Sequence, residues 1–226
     1  MSAPVDGVTA PPGPRSDASR VRRLPQRAAY DGDTIHAILD AGLIGHVGFT
    51  ASDRPIVIPM LYGRDGDSVY LHGSVASRLL RSLAGGIDVC LTVTVVDGLV
   101  LARSAFHHSM NYRSVVAFGR ATRVTGAAKE HGLLVISEHL APGRWDEVRP
   151  PSDEELKVTT VLRLELTEAS AKIRTGGPVD DDEDMALPMW AGVLPCSLTW
   201  GDPLPDAQLP PGRPVSPSVL ARRATR

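Results

Sequence analysis

The sequence contains little that would support a disulfide framework or a membrane span. Only two of its 226 residues are cysteine, and Cys90 and Cys196 form no CxxC pair, so each is interpreted as a small buried residue. No apolar run approaches the length of about 18 residues that a membrane-spanning helix needs, and the N-terminus lacks the apolar segment of a signal peptide. The sequence therefore predicts a cytoplasmic protein with no membrane partner.

Several signatures of cofactor binding and catalysis are missing as well. The absence of GxGxxG and of βαβ alternation disfavours a Rossmann domain. The absence of HExxH disfavours a zinc site, and the absence of GxSxG disfavours a serine hydrolase. A net charge of −2 gives no electrostatic reason to expect a nucleic-acid partner. No metal site is predicted, because the adjacent His107 and His108 would point to opposite faces of a strand.

What is present is a series of short β patterns between two proline-rich ends. Residues 1–23 and 201–226 are unpatterned and are expected to be disordered, whereas 24–200 are expected to form one domain. Asp33 is interpreted as the cap of a first helix, and Asp97-Gly98 as a hairpin turn. Six to seven mostly antiparallel strands, with inserted helices at 75–84 and 127–140, predict a mainly β fold and a small barrel.

The segment HGSVASRLLR, residues 72–81, carries the most informative chemistry. A strand ends at His72, and the helix that follows places two serines and two arginines on one face, because they recur at spacings of three and four. A helix N-terminus with hydroxyl and guanidinium groups beside it is suited to a phosphate monoester. The alternative is a serine cap followed by solvated arginines. The residues on this face are Ser74, Ser77, Arg78 and Arg81.

A proline inside the preceding strand points to a second part of a binding site. Pro59, in RPIVIPMLY, has no N–H to donate to a neighbouring strand, which indicates a sheet edge or a bulge. Backbone groups left unpaired there would meet the polar edge of a flat heterocycle, with Pro59, Met60 and Leu61 in contact with its face. The alternative is an edge strand without a ligand.

Together these stretches resemble a known family. YDGDTIHAILDAG, PIVIPMLY, YLHGSVASRLLRSL, RSAFHHSMNYRSVVAFGRA and MALPMWAGVLP, in this order, are similar to the pyridoxamine 5'-phosphate oxidase-like flavoproteins, and more closely to their FMN-binding or nitroimidazole-resistance-related branch. The resemblance covers roughly residues 27–197. It implies a split β-barrel that forms a homodimer and binds FMN in grooves at the subunit interface.

The resemblance also implies positions for the cofactor. The flavin ring would lie along Ile58, Pro59 and Met60, with Leu71 and His72 at the end of the neighbouring strand. Ser77 and Arg78 would hold the FMN phosphate, Ser114 would present a polar side chain to the cofactor, and Trp190 would approach the flavin from the C-terminal part. Met60 and Leu79 stand where the true oxidase has basic residues, so activity on pyridoxamine phosphate is not expected.

The stretch FHHSMN is interpreted as a loop that leads into a strand, with Asn111, Tyr112 and Arg113 lining the cofactor groove; the alternative is a polar surface loop.

The resulting prediction is an FMN-dependent oxidoreductase that passes electrons from NADH or NADPH to an unidentified small molecule, with no catalytic acid or base assigned. The alternatives are the same fold with F420, the same fold with haem bound through His107 or His108, and a flavin carrier or sensor without turnover.

Overall fold

The structure, a computed structural model, describes residues 13–74, 86 and 88–224. The helix predicted at 75–84, which includes Ser77, Arg78 and Arg81, lies outside the described residues. Within them, all strands pair antiparallel in one ten-stranded sheet. The prediction of a mainly β fold is confirmed.

The strands are β1 (Ala28–Ala29), β2 (Ile44–Ala51), β3 (Arg54–Asp65), β4 (Ser68–Ser74), β5 (Asp88–Leu101), β6 (Ser109–Arg120), β7 (Thr122–Val124), β8 (Thr159–Glu165), β9 (Glu168–Arg174) and β10 (Gly192–Pro195). The described helices are α1 (Gly32–Ala41), α2 (Ala127–Leu140), α3 (Asp153–Val158) and α4 (Pro217–Ala224). The strands outnumber the predicted six to seven because β1, β7 and β10 are short strands that pair with longer ones. The order of the strands in the sheet is β1-β9-β6-β5-β2-β3-β4-β8-β7, and β10 pairs with β5 off this path. The sheet curves around its core without closing.

Helix α1 fills the inside of this curved sheet. Its buried residues Ile35, Ile38 and Leu39 recur at helical spacing and pack against the inward-facing residues of the strands. Asp31 caps the helix, since its carboxylate accepts a hydrogen bond from the Thr34 amide at 2.8 Å. The assignment of the cap to Asp33 was therefore wrong. Both residues fit the sequence preference for a cap, and backbone geometry decides between them.

The predicted hairpin at Asp97-Gly98 was also wrong. Strand β5 continues through both residues, pairs with β6 along its length, and shifts register by a bulge between Val96 and Gly98. Strand β10 pairs with β5 at the same place, and a Cβ on Gly98 would lie 2.8 Å from the Leu194 carbonyl oxygen. Pairing on both edges therefore overrides the turn preference of these two residues.

Helix α2 covers the opposite face of the sheet, over β3, β4 and β8. Its limits agree with the predicted 127–140. Val135 and Ile136 of α2 form a second apolar cluster with Tyr70 and Val161 of the strands. Gly63 lies directly beneath the helix, because a Cβ built on it would be 2.6 Å from the Val135 carbonyl oxygen. This cluster fixes α2 over the end of β4.

The segment after residue 200, which the composition predicts to be disordered, contains α4. The Ser218 amide and hydroxyl donate to the carboxylate of Glu147, and the Arg222 guanidinium lies 5.0 Å from the centre of the Trp200 ring. Cys196 is exposed, which contradicts its interpretation as a buried residue. None of the helices in the described ranges is long and apolar enough to cross a membrane.

Candidate cofactor site

The sheet divides between β3 and β4. Four residue pairs join these strands near their turn, from Tyr62 with Leu71 to Asp65 with Ser68. Beyond them β4 continues along β8 to Ser74, while β3 stays paired with β2 over its whole length. The edge of β3 from 54 to 61 that faces away from β2 has no partner strand among the described residues. We call the space between this edge and the end of β4 the fork.

The fork brings together the residues predicted on both strands. Ile58, Pro59 and Met60 lie on the free edge of β3, and Leu71 and His72 lie on β4. The predicted end of this strand at His72 was wrong, because β4 continues to Ser74, which pairs with Thr159 of β8. Pro59 pairs with His46 of β2 on one side only, as predicted for an edge position. Ile58 and Met60 are half-buried against the core, and Pro59 points outward. Free backbone groups and apolar side chains therefore meet at this edge.

The residues predicted on β6 do not reach the fork within one chain. Strands β5 and β2 lie between β6 and β3, which separates them by roughly 14 Å across the sheet. Arg113 is already engaged, because its guanidinium donates to Asp97 at 2.8 and 3.0 Å. Ser114 donates weakly to the Lys172 carbonyl oxygen at 3.4 Å, and Tyr112 is half-buried opposite Val96.

Asn111 has a partner that sequence reasoning missed. Arg174, at the end of β9, is only 5% exposed, and its guanidinium donates to the Asn111 side-chain oxygen and to the carbonyl oxygens of Gly176 and Gly177, the last two at 3.4 and 3.3 Å. Burial lowers the pKa of Arg174. The Asn111–Arg174 pair thus holds the backbone of Gly176 and Gly177 in place where the chain leaves the sheet after β9. No pattern in IRTGG indicates that this arginine is buried.

Trp190 lies on another side of the molecule. It precedes β10, which pairs with β5; the residue is 67% exposed, and its ring packs near Gly192. The described chain therefore does not bring Trp190 to the fork of the same subunit.

The chain has seven histidines, and all of them are described. Five have a hydrogen-bond partner: His36 with Asp67, His131 with Asp65, His107 with Asp181, His139 with the Gly42 carbonyl oxygen, and His108 with the Ala102 amide. His107 ends a short 3-10 turn and β6 begins at Ser109, so the predicted loop FHHSMN ends at His108 and its last three residues belong to the strand. The described residues contain no group of three or more His, Cys, Asp or Glu that could hold a metal ion.

His72 differs from those five. Its Nδ1 is buried without a hydrogen-bond partner in the described structure, and burial lowers its pKa below the ordinary value, so the ring is neutral at pH 7. The ring borders an open cavity of about 400 Å³, which we call the α2 cavity. The cavity is lined by His72, Leu133, Ser137, Trp145, Val148, Arg149, Pro151, Glu155 and Thr159.

An ion pair stands at this cavity. The Arg149 guanidinium donates to both carboxylate oxygens of Glu155, at 2.6 and 2.8 Å. The hydrogen bond from Arg149 lowers the pKa of Glu155 to about 2, so both groups are charged at neutral pH. Glu155 also accepts from the Ser152 amide in the capping box of α3. The cavity thus combines apolar walls, a neutral imidazole and a guanidinium that is paired with a carboxylate.

Comparisons with known proteins agree with this architecture. Residues 31–173 match the family model described as pyridoxamine 5'-phosphate oxidase. The chain is similar to the flavocytochrome Anf3 from Azotobacter vinelandii, with 43% identity, coverage of 93% of this chain and 98% of that one, and a TM-score of 0.87. It is also similar to the FAD and haem binding protein from Mycobacterium smegmatis, with 34% identity, coverage of 87% and 97%, and a TM-score of 0.84.

A third structure shares the fold at lower identity. It is described as a 5-nitroimidazole antibiotic resistance protein from Bacteroides thetaiotaomicron, with 22% identity, coverage of 65% of this chain and 86% of that one, and a TM-score of 0.56. No curated protein matches this sequence. The family model spans more than half of the chain, and two relatives match nearly its full length, so the predicted resemblance is confirmed. The chain belongs to the pyridoxamine 5'-phosphate oxidase family.

Proposed function

We propose that this chain is a redox protein that binds a flavin nucleotide at the fork and also holds haem. The observation that carries the proposal is the edge of β3 that has no partner strand within the described ranges, which leaves backbone donors and acceptors beside half-buried apolar residues. Two relatives support the combination of flavin and haem by their names. One, at 43% identity, is a flavocytochrome, and the other, at 34% identity, is an FAD and haem binding protein.

The chain's own residues would bind and orient the flavin. In the part of the chain that the structure describes, the N–H and C=O groups of residues 54–61 that face away from β2 have no partner strand and are available to the polar edge of a planar ring, as they would be to an added strand. Pro59 interrupts the row of donors, and Ile58 and Met60 exclude water beside it. A bound flavin supplies hydride and single-electron transfer, while the protein supplies position and hydrogen bonds.

The phosphate would be held by Ser77 and Arg78, as the sequence predicts, and both residues lie outside the described ranges. FMN is the cofactor that the sequence resemblance implies, and the name of the M. smegmatis relative supports FAD as the second form. Both nucleotides carry phosphate, so the same serine and arginine suit either one. We further propose NADH or NADPH as the electron donor and a small molecule as the acceptor.

We also propose a homodimer, in which the second chain completes the groove and brings the β6 residues and Trp190 to the fork. A single chain exposes a free strand edge and many large apolar side chains, and a twofold interface would bury both. The exposed side chains include Val57, Phe106, Met185, Met189, Trp190, Leu194 and Leu198.

Light scattering at micromolar concentration is expected to give twice the 24.1 kDa of one chain. Replacing Leu194 and Leu198 together with serine is expected to shift the population towards the monomer, and replacing the exposed Leu204, which lies further along the chain, serves as the control. A monomer with flavin bound would contradict the dimer.

The cofactors are tested on the purified full chain by its visible spectrum and by analysis of what it releases on denaturation. We expect about one flavin per subunit, identified as FMN or FAD by chromatography, together with haem detected by its Soret band. The same spectrum distinguishes F420. NADH and NADPH are then added without oxygen, and bleaching of the flavin band identifies the donor. Failure to take up either flavin nucleotide when it is supplied would reject the proposal.

A further inference from the structure

His72 is set apart from the other histidines by its lack of a partner combined with burial. Among the seven histidines, all of which are described, only His72 and His46 have neither a hydrogen bond nor an ion pair, and His46 is exposed on the outer face of β2. His107 and His108, the positions predicted as haem ligands from sequence, both use a ring nitrogen within the chain. A buried polar atom without a partner is uncommon and indicates a missing ligand or a functional role.

The surroundings of His72 fit a large apolar group with negatively charged ends. The α2 cavity, of about 400 Å³, lies in the range of cofactor pockets. Leu133, Trp145 and Val148 supply apolar walls, whereas Arg149 supplies a guanidinium that suits a carboxylate. The carboxylate that now occupies this guanidinium, Glu155, belongs to the same cavity.

The cavity and the fork also share one strand. His72 is two residues before the end of β4, and β4 borders the fork on one side while α2 packs over its outward face. Tyr70, which points to the same face as His72, belongs to the apolar cluster under α2. A group in the α2 cavity would therefore lie next to a group in the fork, as electron transfer between them requires.

We propose that a ring nitrogen of His72 would bind the haem iron and that the α2 cavity would receive the haem, with the Arg149 guanidinium available to its propionate carboxylates. The inference rests on the proposed function, since it assigns a residue to one of the two cofactors. Histidine is a common axial ligand of haem in proteins.

The test compares the wild-type full chain with His72→Ala, His108→Ala and His46→Ala after each is supplied with hemin. We expect a histidine-ligated Soret band and electron paramagnetic resonance signal in the wild type and in both control variants, and loss of that signature in His72→Ala. Imidazole added to His72→Ala is expected to restore the band, which would not happen if His72 were only structural. In His72→Met the side chain is larger than that of alanine and keeps the cavity filled. We expect this variant to bind haem and to give the spectrum of methionine-ligated haem.

The outcomes separate the inference from the proposed function. If the wild type takes up no haem, both the haem part of the function and the assignment of His72 are rejected, while flavin binding is judged by its own spectrum. If the wild type binds haem and His72→Ala and His72→Met retain its signature, the haem stands and His72 is not the ligand. Loss of the signature in His108→Ala alone would mean that His108, one of the two ligands predicted from the sequence, binds the haem iron instead of His72.

Discussion

Arg78→Ala is expected to weaken the binding of a flavin nucleotide by on the order of 10- to 100-fold, at about 1.4 kcal/mol per decade. Arg78 lies outside the described residues, and its role is inferred from the spacing in SVASRLLR and from the position of Ser74 at the end of β4 beside the fork. A charge-assisted hydrogen bond to a phosphate contributes roughly 1.5–3 kcal/mol. Fluorescence titration with FMN and with FAD measures the change.

Two controls accompany this variant. Riboflavin, which has no phosphate, is expected to bind the wild type and Arg78→Ala nearly alike. Arg81→Ala is expected to have a smaller effect, because it lies one turn further from the predicted helix start and the favourable potential of the helix end fades beyond the first turn. An unchanged FMN affinity, or an equal loss for riboflavin, would mean that the phosphate is held elsewhere.

Gly63→Ala is expected to destabilise the domain by about 1–3 kcal/mol, since overpacking at a rigid contact forces backbone shifts. A Cβ at this position would lie 2.6 Å from the Val135 carbonyl oxygen and 2.7 Å from the Ile136 Cα, both of which are backbone atoms of α2. The helix must move away from β3 to make room. Chemical denaturation followed by circular dichroism gives the free energy of unfolding.

The matched control is Gly48→Ala in β2, where the added methyl group would meet Cys90 at an ordinary contact distance of 3.6 Å. We expect its free energy of unfolding to stay close to that of the wild type. Because α2 also supplies Leu133 and Ser137 to the α2 cavity, Gly63→Ala is expected to retain less haem than Gly48→Ala. Equal stability of the two variants would show that α2 tolerates displacement.

The local elements of this fold were predictable where neighbouring residues decide the conformation. Helix α2 has the predicted limits, and Gly42 ends α1 as expected from its sequence. Asp97-Gly98 shows where this reasoning fails, because pairing with β6 and β10 extends β5 through a dipeptide that favours a turn. The turn preference of two residues stabilises less than the backbone hydrogen bonds that a strand forms with neighbours on both of its edges.

The sequence by itself determined the fold class and the family, and it predicted that Pro59 lies on a strand edge, because alternation, helical spacing and the edge proline are properties of a short stretch of chain. Only the tertiary structure decided that β3 and β4 separate into a fork, that Asn111 and Arg174 are buried together, and that His72 lines a cavity without a partner. Each of these depends on residues far apart in the chain. Arg174 follows Asn111 by 63 positions, and the walls around His72 come from α2 and from the segment before β8. Burial and the loss of a hydrogen-bond partner arise only when such distant segments pack together, so no local pattern encodes them.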